Sequence, residues 1–158
     1  MKENRKQEEW QETSCLSGRM RVNIPGDYGK PSEEVMAEKF STGISPQEVY
    51  SNPEGNRVLT FHLWDKPLQE QQEYPKIETV HKLFGHMYPE GTRVKPEEIK
   101  TEAGNIEWFA FAEGTSIHCM FTLPIEESML FGSYHFPAEG METDKTLFVE
   151  ILKSIRIK

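Results

Sequence analysis

The sequence predicts an α+β fold, a mainly antiparallel sheet with a C-terminal helix packed on it, and three observations carry that reading. Residues 106–136 hold three apolar runs that alternate with period two: Ile106, Trp108, Ala110 and Ala112; Ile117, Cys119, Phe121 and Leu123; Leu130, Gly132, Tyr134 and Phe136. Such alternation, rich in aromatic and β-branched residues, marks strands. The linkers Glu113-Gly114-Thr115-Ser116 and Pro124-Ile125-Glu126-Glu127-Ser128 are short enough for hairpins. Leu147, Phe148, Ile151, Leu152 and Ile155 then fall on one helical stripe. Five large apolar side chains on one stripe need a sheet to cover.

The other elements follow in order. Residues 1–11 are almost wholly polar apart from Trp10 and read as a flexible N-terminal segment, leaving residues 12–158 as one domain. Met20, Val22 and Ile24 alternate with Arg21 and Asn23, a half-buried strand closed by Pro25-Gly26-Asp27. Ser32 caps a helix carrying Val35, Met36 and Phe40, ended by Gly43. Ser45-Pro46-Gln47-Glu48 has the form of a capping box with Pro at the first helical position. It predicts a turn or two of helix before the Asn52-Pro53-Glu54-Gly55 turn. Val58–Trp64 is the next strand, and Ile77, Val80, Phe84 and Met87 mark a second amphipathic helix. A weak strand is expected around Ile99. Thr143 or Asp144 supplies the N-cap of the last helix, with Asp144 and Lys153 placed to suit its dipole. No internal repeat or shift in composition divides the chain.

Composition narrows the function by exclusion. A chain of 158 residues with 36% hydrophobic and 28% charged residues is of the soluble globular class. Its net charge of −8 repels phosphate backbones, which argues against nucleic-acid binding. No run approaches the ~20 apolar residues of a membrane span. The opening MKENRKQEEWQETS has no apolar core of a signal peptide. As it stands the sequence predicts a cytoplasmic protein, or an exported one if a signal segment preceded Met1. Cys15 and Cys119 form no motif; Cys119, in an apolar strand, reads as a small buried hydrophobe. Two unpatterned cysteines suit a reducing compartment.

The last quarter of the chain carries a resemblance. Phe136-Pro137-Ala138 followed by a helix and the tail Ile151-Leu152-Lys153-Ser154-Ile155-Arg156-Ile157 is similar to the PsbP-like fold group. That group takes in PsbP, Ran-interacting, DcrB-type and Eag-type members; the remainder of the match rests on element order. The resemblance implies an α/β/α sandwich and a domain that binds proteins or serves as an adaptor, with no enzyme activity. DcrB-type members are exported and lipidated, whereas Cys15 here has no apolar segment before it.

Chemistry-bearing residues are sparse. His62, His118 and His135 sit on three expected strands, where they would converge as metal ligands of a metal-dependent or hydrolytic enzyme. No local ligand spacing such as HxH or HExxH supports that alternative. His118 and Cys119 are adjacent in a strand and point to opposite faces, so they form no dyad. Ser133 lacks a Gly-x-Ser-x-Gly frame, and neither a Gly-rich phosphate loop nor a calcium loop occurs, so no cofactor is expected.

A surplus of apolar residues lies opposite the main apolar faces: Trp64, Met120, Met129 and Phe131, accompanied by His62 and His135. Their plainest reading is a second core layer under a helix. The sharper reading is a groove that receives a partner segment, for which Met and aromatic side chains are suited. The function expected is therefore a non-enzymatic binding or adaptor domain for a protein or peptide, with a homodimer as an alternative use of the same face.

Overall fold

The computed structural model describes residues 10–34, 36, 47–64, 82, 92–93, 96–125 and 128–157. Among the described residues ten strands are formed: β1 (Trp10–Cys15), β2 (Met20–Pro25), β3 (Glu48–Ser51), β4 (Val58–Trp64), β5 (Thr92–Arg93), β6 (Glu97–Thr101), β7 (Gly104–Glu113), β8 (Ser116–Ile125), β9 (Ser128–Pro137) and β10 (Arg156–Ile157). A 3-10 turn (Ala138–Gly140) leads from β9 into the C-terminal helix (Met141–Lys153). The large sheet runs β3-β4-β9-β8-β7-β5, with β6 also paired to β7. A small sheet runs β1-β2-β10. Every pairing among these strands is antiparallel.

The three alternating runs form the meander β7-β8-β9. Gly114, at φ +59°, makes a two-residue turn between Glu113 and Ser116, a conformation that suits glycine. The register puts Trp108 opposite Phe121 and Phe121 opposite Gly132. Gly132 also pairs with Phe61 of β4. The Phe121 ring fills the space that a side chain at Gly132 would take: a methyl group there would meet it at 2.6 Å and come closer still to the Thr60 carbonyl.

One face of the large sheet is closed by the helix and the small sheet together. Phe148 reaches Trp108 edge-on at 5.7 Å between ring centroids and stacks on Tyr134 at 5.8 Å. Ile151, Leu152 and Ile155 are fully buried in the same core, which also takes in Met20, Val22 and Ile24 of β2. The C-terminal end of the helix is fastened to β2 by Ser154, whose hydroxyl donates to the Ile151 carbonyl at 2.6 Å and accepts the Asn23 N–H at 2.9 Å.

Several sequence expectations are corrected. The helix begins after Gly140, with no side-chain cap; Asp144 is inside its first turn, buried, and engaged elsewhere. The capping-box pattern at residues 45–48 does not lead into a helix. Glu48, Val49, Tyr50 and Ser51 pair with β4, where the β-branched and aromatic residues bury themselves, and Gln47 accepts the Leu63 N–H at 2.8 Å. The weak strand expected around Ile99 does form, as β6, with β5 before it. Trp10 and Gln11 belong to β1 rather than to a flexible end. Residues 33, 34 and 36 are helical, and the remainder of that expected helix lies outside the described residues. So does the helix expected from Ile77 to Met87, Lys82 apart.

Two substitutions test this packing by chemical or thermal unfolding. Leu152→Ala is expected to cost ~2–5 kcal/mol, the range for emptying a buried leucine site. Gly132→Ala is expected to cost ~1–3 kcal/mol by overpacking against the Thr60 carbonyl and Phe121. A melting temperature unchanged by Leu152→Ala would show that the helix does not cover the core.

Candidate functional site

Five of the six residues singled out from the sequence, His62, Met120, Met129, Phe131 and His135, lie on one face of the large sheet, opposite the helix, and the sixth, Trp64, is in the same strand as His62. Alternation and register bring them there: Trp64 pairs with Met129, His62 with Phe131, and His118 with His135. Met129 is buried at 8% exposure, whereas His62, Met120, Phe131 and His135 are half-buried. The side chain of Trp64 is outside the described residues. Phe109 and Phe111 from β7 are buried on this face and stack at 6.3 Å, with Met120 and Phe131 packed against them. Thr60 and Ser133 join hydroxyls at 2.8 Å beside them.

The imidazoles do not converge. His118 and His135 are direct cross-strand neighbours, with ring centroids 5.3 Å apart, and His118 stacks on Phe111 at 4.8 Å. His62 is four residues along β4 from the partner of His135, about 13 Å away at the rise of a strand. Among the described residues no three His, Cys, Asp or Glu side chains gather as a metal site.

A second feature lies on the other side of the molecule. A cleft of about 510 Å³ opens between the end of the β1–β2 hairpin, the loop from Asn52 to Arg57 and the N-terminal half of the helix. At its base is a chain of polar groups that the sequence reading missed. Arg57 Nε donates to both oxygens of Asp144, at 2.9 and 3.1 Å. Tyr134 donates its hydroxyl proton to Asp144 Oδ1 at 2.8 Å. That hydroxyl has only one proton, so it must accept the proton of Tyr28 across the 2.6 Å contact between them. Asp144 is 3% exposed, and these two donors, Arg57 and Tyr134, offset the cost of placing its charge there.

Neighbouring residues hold the chain in place. Asn52 accepts the N–H groups of Gly55 and Arg57 at 3.1 and 3.0 Å, which shapes the loop and aims Arg57. Gln11 donates to the carbonyls of Pro25, Gly26 and Tyr28, pinning the turn that presents Tyr28. Gly140 fits because any side chain there would collide with the Asp144 carboxylate. Only the Asn-Pro-Glu-Gly turn was visible in the sequence; nothing local tied it to Asp144.

Burial sets the titration of these groups. It pushes the Tyr28 hydroxyl up to about 12, partly countered by its hydrogen bond to Tyr134. Burial raises Tyr134 further, reinforced by Tyr28 and Asp144. Tyr50 is raised by burial and by its hydrogen bond to Glu48. Cys15 and Cys119 are each pushed up to about 12, chiefly by burial, so neither is a reactive thiolate near neutral pH. Arg57 is raised first by its hydrogen bond to Asp144.

These directions fix an alkaline limit. Each raised group keeps its proton in the folded state where the unfolded chain, with reference values of 9.0 for Cys and 10.0 for Tyr, would release it. Their contribution to stability is whole below about pH 9 and is lost as pH rises toward about 12. Thermal melts between pH 8 and pH 11.5 are expected to show that fall. Tyr134→Phe is expected to cost about 1–3 kcal/mol at pH 7, because Asp144 loses a donor, and to make the decline above pH 10 shallower. A stability that holds level across this range would overturn the assignment.

No family model matches the sequence, and neither does any curated protein. The solved structures do provide a likeness. The solution structure of cyanobacterial PsbP (CyanoP) from Synechocystis sp. PCC 6803 superposes with a TM-score of 0.66 at 10% sequence identity, covering 95% of this chain and 93% of that one. Among the described residues no helix is long and apolar enough to cross a membrane. The antiparallel sheet, the C-terminal helix laid on it and the matching span of both chains together give this protein a PsbP-like fold.

Proposed function

We propose that the chain is a non-enzymatic binding or adaptor domain that holds a protein or peptide segment against the second face of its large sheet. The observation that carries this reading is the half-buried patch of His62, Met120, Phe131 and His135 on three adjoining strands, set around the buried Phe109, Phe111 and Met129. Methionine and aromatic side chains adapt to varied apolar partners, and imidazoles at the margin add polar contacts. In the opposite core, burial keeps the thiols of Cys15 and Cys119 neutral, and the hydroxyls of Tyr28 and Tyr134 are taken up in the hydrogen-bonded chain to Asp144. The PsbP-like fold is in keeping with an accessory role, by analogy of fold alone.

Melting and binding measured together test the reading. Trp64→Glu, across from Met129, is expected to shift stability by no more than about 0.5 kcal/mol if the side chain belongs to the binding face. It should weaken a display-selected peptide at least tenfold, or dissociate a dimer in sedimentation if a second copy uses the face. Phe121→Ala, in the opposite core, is expected to cost ~3–5 kcal/mol. If Trp64→Glu melts as poorly as Phe121→Ala, the residue belongs to the interior and the reading fails. A stable Trp64→Glu protein with undiminished binding would equally overturn it.

A further inference from the structure

The cleft between the β1–β2 hairpin and the helix is separate from the sheet face just described, and its chemistry differs. Its lining carries four carboxylates, Asp27, Glu54, Asp144 and Glu150, against one cation, Arg57, which leaves a net charge of −3. The carboxylates come from three different segments: the turn after β2, the loop before β4, and the helix. They are not alike in role. Asp144 is buried and held by Arg57 and Tyr134; Asp27, Glu54 and Glu150 are exposed at the rim, where Glu54 accepts from Asn52 Nδ2 at 3.1 Å.

Apolar surface lies between these charges. Trp10 and Leu147 line the cleft and are both half-buried. An indole beside carboxylates suits a cation on an alkyl stem, since the ring attracts the charge and packs against the methylenes. Arg57 adds a third type of contact. Its Nε is held by Asp144, and its two terminal nitrogens make no hydrogen bond among the described residues although the side chain is 30% exposed. Those N–H groups are donors for carbonyl oxygens. The volume of about 510 Å³ lies within the roughly 300–1,000 Å³ usual for ligand sites.

An ammonium or guanidinium head, an alkyl stem and a backbone carbonyl together describe a basic residue in a polypeptide. We propose that this cleft binds a lysine-bearing segment of a partner protein. The ammonium is held by the rim carboxylates, the stem lies on Trp10 and Leu147, and a main-chain carbonyl accepts from Arg57. Charge complementarity selects this occupant: an acidic segment would meet the net negative lining, and a purely apolar one would leave the rim charges desolvated.

Hexalysine titrated calorimetrically into the whole chain tests the proposal, with amide chemical shifts read in parallel. Binding is expected, with shifts at Trp10, Asp27, Glu54 and Glu150. Affinity should drop at least tenfold in the Glu54→Gln/Glu150→Gln protein and in Trp10→Leu, each checked for an unchanged melt. Glu97→Gln/Glu98→Gln, which removes two exposed charges from β6, should leave it within about twofold. Lysine-acetylated hexalysine should not bind. Equal weakening by the rim and β6 pairs would show only the general field of an acidic protein and would overturn the site. Spermidine binding as tightly as hexalysine would overturn the peptide assignment, and so would self-association abolished by the rim substitutions. None of these outcomes depends on Trp64 or Phe131, so the sheet-face reading stands or falls separately.

Discussion

The buried carboxylate of Asp144 is the constraint around which the layers are arranged. An ionised group taken out of water is tolerated only where donors surround it. Here they arrive from three places: Tyr134 from the middle of the large sheet, Arg57 from the loop before β4, and Tyr28, through Tyr134, from the turn after β2. Satisfying one charge therefore fixes the helix, the large sheet and the small sheet relative to one another. Apolar packing supplies most of the cohesion of such a core but is not directional. The hydrogen-bonded chain is directional, and that gives Gly140, Asn52 and Gln11 their positions as its supports.

The large sheet has two unlike faces as a result. The face toward the helix is a closed aromatic interior in which Phe148, Trp108, Phe121 and Tyr134 contact one another through their rings. The other face mixes buried phenylalanines with half-buried methionine and histidine. Residues that adapt their shape are concentrated on the second face, and residues whose positions are fixed by ring packing and hydrogen bonds on the first. Binding through the second face would thus leave the Asp144 chain undisturbed.

Legibility in the sequence followed range. The meander β7-β8-β9 and its inward residues could be read because alternation is local and repeated over ten residues in each strand. The helical stripe was legible for the same reason. β1, β5 and β10 were not, since strands with little internal pattern are defined by the neighbour they meet. The capping-box motif at residues 45–48 misled because a local signal lost to pairing with β4. Asp144 looked like a cap by its place near a helix start. Its true partners, Arg57 and Tyr134, lie 87 and 10 positions away, with Tyr28 106 positions before Tyr134. The face bearing His62, Met120 and Phe131 was visible from strand parity, whereas the cleft is assembled from segments that share no pattern.

The short strand β10 has a temporal meaning. It pairs through Arg156 and Ile157 with Arg21 and Met20, and the Ser154 hydroxyl accepts the Asn23 N–H across 131 positions. Contacts of such separation must bear the entropy of closing a loop of 131 positions before they return any stability. During synthesis the β1–β2 hairpin is made well before the helix and β10, so one edge of β2 waits for a segment more than a hundred positions later. Until they arrive, that edge is an open template for strand pairing with another nascent chain. Completion of the small sheet thus joins segments far apart in the chain, and before it closes β2 presents an unpaired strand edge.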